Sequence, residues 1–257
     1  MNLIYFEPRG RLGNALFRYF AISILLTFNY SHQYGGLKKR PQRLRVVKEG
    51  QFLQYLNNPY KLQNEDFILT DFYQSNEIIN YKKEIILFMK SHLEHKIYNF
   101  PLEEFLIKDI INSPNNIPIY MIVLHLRLED FVNNKEFIPY QNFLKLFEEI
   151  KDTLINKEIG IVLNKPKTNF EIDYLQNIKQ WFRENNIIFK VESNSILIDF
   201  HIMKNAQILI CSNSTISWCA AFLSEKIEKC YMPNYKNKIR NFQTFQYPME
   251  NTCLYTI

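Results

Sequence analysis

Apolar positions along the chain alternate between short continuous runs and longer stretches with a helical period. Residues 3–6 are a run too short for a helix and predict a buried strand. After Gly10 and Gly13, residues 15–28 are apolar nearly all round, which predicts a helix sandwiched between layers. Residues 35–48 are polar and basic (Lys38, Lys39, Arg40, Arg43, Arg45) and predict a solvated loop with a short strand at 44–47. A strand at 67–70 and a helix at 77–94 follow. The stretch Asn112-Ser-Pro-Asn-Asn-Ile-Pro118 cannot continue a helix and marks a domain boundary.

Beyond that boundary the alternation is regular. Strands are predicted at 119–124, 159–163, 187–191, 208–211 and 227–231, with helices at 140–155, 170–185, 196–204 and 215–224. Apolar strands alternating with helices are the pattern of a parallel sheet covered on both faces. The expected fold class is α/β, with two Rossmann-like domains, residues 1–113 and 114–257, facing across a cleft.

Composition narrows the function classes. With 47% hydrophobic and 22% charged residues, the 257-residue chain has enough apolar material for folded cores, which excludes wholesale disorder. Only 6 Gly against 16 Tyr and 21 Phe excludes collagen-like and Gly-rich chains. The net charge of +5 suits a phosphate-bearing small molecule and falls short of a dedicated nucleic-acid binder. Four cysteines (Cys211, Cys219, Cys230, Cys253) form no C-x-x-C pair and read as reduced, packed thiols, which points to a cytoplasmic location. No signal peptide is visible, and the longest apolar runs are about half a membrane span, so no transmembrane segment is expected. Peripheral membrane contact stays open.

In an open parallel sheet, ligands lie beyond the carboxyl ends of the strands. Two strands of the second half end in unusual polar sequences. One runs into His125-Leu-Arg127-Leu-Glu129-Asp130, the other into Ser212-Asn213-Ser214-Thr215. Ser, Asn and Thr before a helix are good N-caps, and a helix N-terminus with free N–H groups is also an anion site. An arginine on a neighbouring strand end adds the bidentate partner that a phosphate takes. His125 reads either as a buried, hydrogen-bonded histidine or as part of that pocket. No G-x-G-x-x-G or Walker loop exists, which argues against an NAD enzyme or a P-loop ATPase. His92 and His95, three apart on a helix, lack a local acidic third ligand and read as surface residues. His201, beside Asp199, reads as structural.

Four segments resemble the α-1,2-fucosyltransferases and the wider group of inverting fucosyltransferases with a GT-B fold. Gly10-Arg-Leu-Gly13-Asn14-Ala-Leu-Phe17-Arg-Tyr19 is similar to the family's G-G-L-G-N-Q-M-F-Q-Y, and Phe72-Tyr73-Gln74-Ser75 to its Y-F-Q-S. His125-Leu-Arg127-Leu-Glu-Asp130 is similar to H-x-R-R-x-D, the GDP-sugar motif. Asp199-Phe-His-Ile-Met203 and Asn213-Ser214-Thr215-Ile-Ser217-Trp218 resemble D-L-x-L-M and N-S-S-F-S-W. The four stand in the family's order and span most of the chain. This sequence departs from the pattern at Arg11, Ala15, Leu128 and Cys219, and it carries Asn164-Lys-Pro-Lys167 where the family has S-D-D.

The resemblance implies transfer of L-fucose from GDP-fucose to a glycan hydroxyl with inversion, the α-1,2 linkage included, and no cofactor beyond the donor. Donor-binding residues would be Gly13, Asn14, His125, Arg127, Asn213, Ser214 and Thr215, with the acceptor on the side of the first domain. Arg127 and the helix start at Ser214 would stabilise the departing diphosphate. A base for the acceptor hydroxyl would come from Glu7, Asp71 or Asp130. No D-x-D motif or clustered metal ligands occur, so no metal site is expected. If the strand continued, Glu129 and Asp130 would lie on opposite sides of it and share no ion. Three alternatives remain: a GT-B enzyme using another GDP-sugar, motivated by Leu128; a non-catalytic glycan or sugar-nucleotide binder; and a nucleic-acid binder using residues 38–48, which the charge balance disfavours.

Overall fold

Internal contacts divide the chain into two compact units, Met1–Ser113 and Pro114–Ile257. The computed structural model describes residues 2–7, 10–28, 31–38, 44–57, 65–71, 73–74, 76–100, 103–234 and 247–257. Lys39, Arg40 and Arg43 of the basic stretch, and Phe72 and Ser75 of the second family-like segment, lie outside the described residues.

The first unit runs β1 (Asn2–Phe6), α1 (Leu12–Phe28), β2 (His32–Leu37), β3 (Arg45–Val47), α2 (Glu49–Asn57) and β4 (Phe67–Leu69). A 3₁₀ segment (Asn76–Tyr81), α3 (Lys82–Ser91), an antiparallel hairpin of β5 (Lys96–Asn99) and β6 (Glu103–Leu106), and α4 (Ile107–Ile111) complete it. The main sheet is parallel with strand order β2-β1-β4-β3. Helix α1 is buried on nearly every side from Leu12 to Leu26, as an all-round apolar helix must be.

Two expectations need correction here. The stretch from residue 35 is not all solvated loop, because Gly35 and Gly36 belong to β2. The strand packs so closely on β1 that a Cβ on Gly35 would lie 2.6 Å from the Tyr5 ring, and Gly36 takes a φ of +75° beside the register shift at Ile4/Tyr5. Lys38 then sits with its ammonium 4.2 Å from the centre of the Tyr5 ring. The expected helix at 77–94 ends at Ser91, where the Ser91 hydroxyl and the His92 ring nitrogen both lie 2.9 Å from the Phe88 carbonyl. His92 stacks on Phe88, while His95 stacks on Tyr34 and shares a 3.0 Å hydrogen bond with the Tyr19 hydroxyl. This pair is part of an aromatic cluster. Burial, with His92 nearby, pushes the His95 imidazole down to about 4.

The second unit follows its predicted alternation closely: β7 (Ile122–His125), α5 (Asp130–Asn133), α6 (Tyr140–Glu149), α7 (Lys151–Leu154), β8 (Ile159–Val162), α8 (Asn169–Glu184) and β9 (Phe189–Glu192). Then come α9 (Ile196–Lys204), β10 (Ile208–Ile210), α10 (Thr215–Leu223), β11 (Lys229–Asn234) and β12 (Thr252–Thr256). All six strands are parallel, in the order β12-β11-β10-β7-β8-β9. The predicted helix at 140–155 is broken at Ile150 into α6 and α7. β7 starts later than expected, since Ile119 and Met121 are exposed. The core under one face is aromatic, with the Phe147 ring 5.2 Å from Trp181 and 5.0 Å from Phe182.

Gly160 in mid-β8 breaks the rule that strand interiors avoid glycine, and its neighbour explains why. A Cβ there would lie 2.4 Å from the Tyr120 ring, whose hydroxyl donates to the Glu192 carboxylate on β9. Gly160→Ala is therefore expected to cost about 1–3 kcal/mol by overpacking. Urea unfolding of Gly160→Ala, Tyr120→Ala and the double variant checks it. The penalty of the glycine change should shrink once the ring is gone; an unchanged midpoint in Gly160→Ala would refute the close contact.

Candidate functional site

Counting β7 as the first strand of its sheet, the order reads 3-2-1-4-5-6 from β9 to β12. This is the doubly wound order in which the chain leaves β7 in both directions, and ligands bind at the carboxyl ends of the two strands flanking that reversal. Those strands are β7 and β10. The two polar sequences singled out above follow them, and the structure ties them together: Ser212 Oγ and His125 Nδ1 are hydrogen-bonded at 3.0 Å.

His125 is 5% exposed, and burial, reinforced by Arg127, pushes its imidazole down to about 3. It is therefore neutral near pH 7. Leu126 and Leu128, on either side of Arg127, sink into the hydrophobic core. Arg127 instead donates from Nη2 to Asp130 Oδ1 at 2.7 Å, approaches Glu129 Oε2 at 3.9 Å and lies 5.2 Å from the centre of the Phe131 ring. It is 7% exposed, so the guanidinium is held by its own loop. The extended backbone does not continue to Asp130. Glu129 turns at φ 50°, and Asp130 begins α5, which corrects the expectation that Glu129 and Asp130 occupy opposite sides of a strand. Both carboxylates lie beside Arg127.

At the other loop, Ser214 occupies the N-cap position of α10, yet its hydroxyl makes no capping bond. Its carbonyl accepts from Ser217 Oγ at 3.0 Å and from the Trp218 N–H at 3.3 Å. Asn213 donates from Nδ2 to the Glu136 carbonyl at 3.4 Å, linking this loop to the segment after α5. Thr215 opens the helix and is half-buried. The thiols of Cys211, Cys219 and Cys230 are buried and that of Cys253 is exposed, and none of the four forms a disulfide.

In the first sheet, the corresponding reversal lies between β1 and β4. Glu7 directly follows β1, its N–H bonding the Leu69 carbonyl at 3.1 Å, and Asp71 lies two residues beyond β4. The fully buried Arg18 donates from Nε to the Asp71 carbonyl at 3.0 Å. Asn14 accepts from Gln74 Nε2 at 2.8 Å, so the first two family-like segments meet. Gly13 is buried in the first turn of α1, and Gly10, at φ +70°, lies where a Cβ would fall 2.4 Å from Asn14 Nδ2. The structure thus groups Glu7, Gly13, Asn14 and Asp71 in one unit, and His125, Arg127, Asp130, Asn213, Ser214 and Thr215 in the other.

The fourth family-like segment has a structural part as well. Asp199 on α9 accepts from the Asn194 N–H and side-chain amide at 3.1 and 3.2 Å, and burial lifts its carboxyl to about 6. Two contributors, Arg18 and Glu171, are absent from the sequence-based set, and Glu129 enters it only as the acid next to Asp130. Glu171 carries a readable signal, the Thr168-x-x-Glu171 capping box ahead of α8. Among the described residues, no group of three or more His, Cys, Asp or Glu side chains is placed to hold a metal ion, and no helix is long and apolar enough to cross a membrane.

No family model matches the chain, and no curated protein does. Among solved structures, the chain is similar to E. coli heptosyltransferase WaaC with ADP, at 8% identity and a TM-score of 0.49, covering 99% of this chain and 93% of that one. The same enzyme with ADP-2-deoxy-2-fluoro heptose gives 8% identity and a TM-score of 0.46 over 98% and 92%. A mutant of Arabidopsis thaliana FUT1 in complex with GDP gives 10% identity and a TM-score of 0.44 over 86% and 68%.

Proposed function

We propose that the chain is a glycosyltransferase that moves L-fucose from GDP-fucose to a glycan hydroxyl with inversion, in an α-1,2 linkage. The observation that carries this reading is the junction of β7 and β10. The segments that carry a buried arginine and the start of a nine-residue helix follow the two strands at the switch point of a doubly wound sheet, and the His125–Ser212 bond joins them. The four family-like segments supply the identity of the sugar donor.

The chemistry asks two things of these residues. As the glycosidic bond to phosphate breaks, GDP gains charge, and donors already in place stabilise it without reorganisation. Arg127 offers a planar fork for a phosphate, and the N–H groups at the start of α10 point where an anion sits. Asp130 orients that fork. The acceptor hydroxyl must also lose a proton, and Glu7 and Asp71, beyond the strands of the first sheet, are the carboxylates to test as its base.

A second reading, transfer from another GDP-sugar, is favoured by one observation. Where the family has a second arginine, Leu128 is 6% exposed and part of the core, so Arg127 is the arginine this motif offers to a donor. A panel of GDP-sugars, scored for GDP release with and without acceptor glycans, separates the two. GDP-fucose should give acceptor-dependent release; preference for GDP-mannose or another donor would overturn the fucose assignment, and no release with any donor would overturn the enzyme assignment. With Arg127 and the helix start carrying the diphosphate charge, turnover is expected to persist in excess EDTA. Activity that collapses in EDTA and returns with Mn²⁺ would refute metal independence.

A further inference from the structure

We propose that Glu171, which lies outside every family-like segment, is a positioning residue that holds the Arg127 loop in its donor-binding shape. The inference rests on the reading of Arg127 as the diphosphate partner. Glu171 is the third residue of α8 and only 3% exposed. Its Oε2 accepts from the backbone N–H groups of Lys167 at 2.7 Å and Thr168 at 2.9 Å, while its own N–H bonds Thr168 Oγ1 at 3.2 Å. That much is a capping box, which any helix start can use.

The remaining oxygen does something a cap does not require. Glu171 Oε1 accepts from the Glu129 N–H at 2.9 Å, across 42 residues of sequence. Glu129 is the residue whose backbone turns at φ 50° and ψ −117°, a conformation that side-chain-bearing residues avoid. It lies between Arg127 and the Asp130 that orients it. The same residue is held a second time, with Lys167 Nζ 3.3 Å from Glu129 Oε1. One buried carboxylate therefore joins the loops after β7 and β8 and fixes the turn that brings Asp130 back onto Arg127. Burial by itself would raise the Glu171 carboxyl, but the N–H groups of Lys167, Thr168 and Glu129 outweigh it and hold the group below its usual range, in the charged, accepting form.

The two oxygens have separate partners, so two substitutions separate capping from positioning. Glu171→Gln can keep its carbonyl on the Lys167 and Thr168 N–H groups, which turns its amide toward the Glu129 N–H and breaks that bond alone. Thr168→Ala weakens the cap and leaves Glu129 held. Calorimetric titration of GDP should show Glu171→Gln about tenfold weaker than wild type, and Thr168→Ala within about twofold. In an Arg127→Ala background, Glu171→Gln should add less than about twofold, because the group it positions is gone. Wild-type affinity in Glu171→Gln, or an equal loss in both backgrounds, overturns the proposal. Arg127→Ala binding GDP as wild type does would overturn the donor reading instead. Amide exchange of residues 126–135, measured without nucleotide, then decides the clamp by itself: faster exchange in Glu171→Gln upholds it, and unchanged exchange overturns it.

Discussion

Arg127→Ala is expected to weaken GDP binding by at least about tenfold and to slow sugar transfer by roughly 10²–10³-fold, with the fold intact. A charge-assisted contact to phosphate is worth about 1.5–3 kcal/mol net, which converts to about one to two decades of affinity. The larger effect on rate follows because charge on the departing diphosphate grows toward the transition state, where a donor already in place counts most. The fold should survive, because the Asp130 carboxylate left behind is 45% exposed and can be solvated. Arg127→Lys keeps the charge and loses the fork, so it should recover part of the affinity and little of the rate. Ser214→Ala combined with Thr215→Val should weaken GDP less, since the backbone N–H groups of α10 remain. Calorimetry with GDP and initial rates with GDP-fucose measure all of these. Equal GDP affinity in wild type and Arg127→Ala would remove the arginine from the donor site.

Folding stability is expected to fall as the pH drops below about 6.5, with His125 a principal cause. Burial, and then Arg127, hold the folded imidazole at about 3, whereas in the unfolded chain it titrates near 6.5. Between those values the unfolded state takes up a proton that the folded state refuses. The stabilisation is therefore complete above about pH 6.5 and drains toward pH 3 at up to about 1.4 kcal/mol per pH unit. By pH 5 the loss from this site alone is about 2 kcal/mol. His95, held at about 4 by burial, acts in the same direction. Asp199, lifted to about 6 by burial, acts in the opposite one, since the folded state binds its proton first. The contribution of His125 is isolated by comparing wild type with His125→Asn, which keeps a polar partner for Ser212 and does not titrate. Urea unfolding at pH 7.5 and 5.0 should show a smaller drop in the variant. The same drop in both would mean that His125 takes up its proton readily in the folded protein.

The second unit was far more legible than the first, for a physical reason. Its central strands are buried on both faces, so β7 (IVLH) and β8 (IGIV) read as apolar runs, and its helices α8 and α9 begin within a residue of where the pattern places them. In the first unit, β2 (HQYGGL) carries no such run. It is a strand because Gly35 lets it lie against Tyr5, a contact invisible to local pattern. The β5–β6 hairpin, α2 and β12 escaped for a related reason: their apolar content is low.

The same division runs through the candidate site. The amino-acid sequence by itself determined that Arg127 and the Ser212–Thr215 segment each follow a short apolar strand, and that the second half is an α/β repeat, because burial imposes its period directly on residue type. Only the tertiary structure decided that β7 and β10 are neighbours, since strand order comes from crossovers that leave no local trace. It likewise decided that Glu129 turns back, that Asp130 takes hold of Arg127, and that Glu171 reaches across from α8 to secure them. Those are hydrogen bonds between polar groups, set by the geometry of loops that packed strands bring together, and polar residues carry no periodicity from which such meetings can be read.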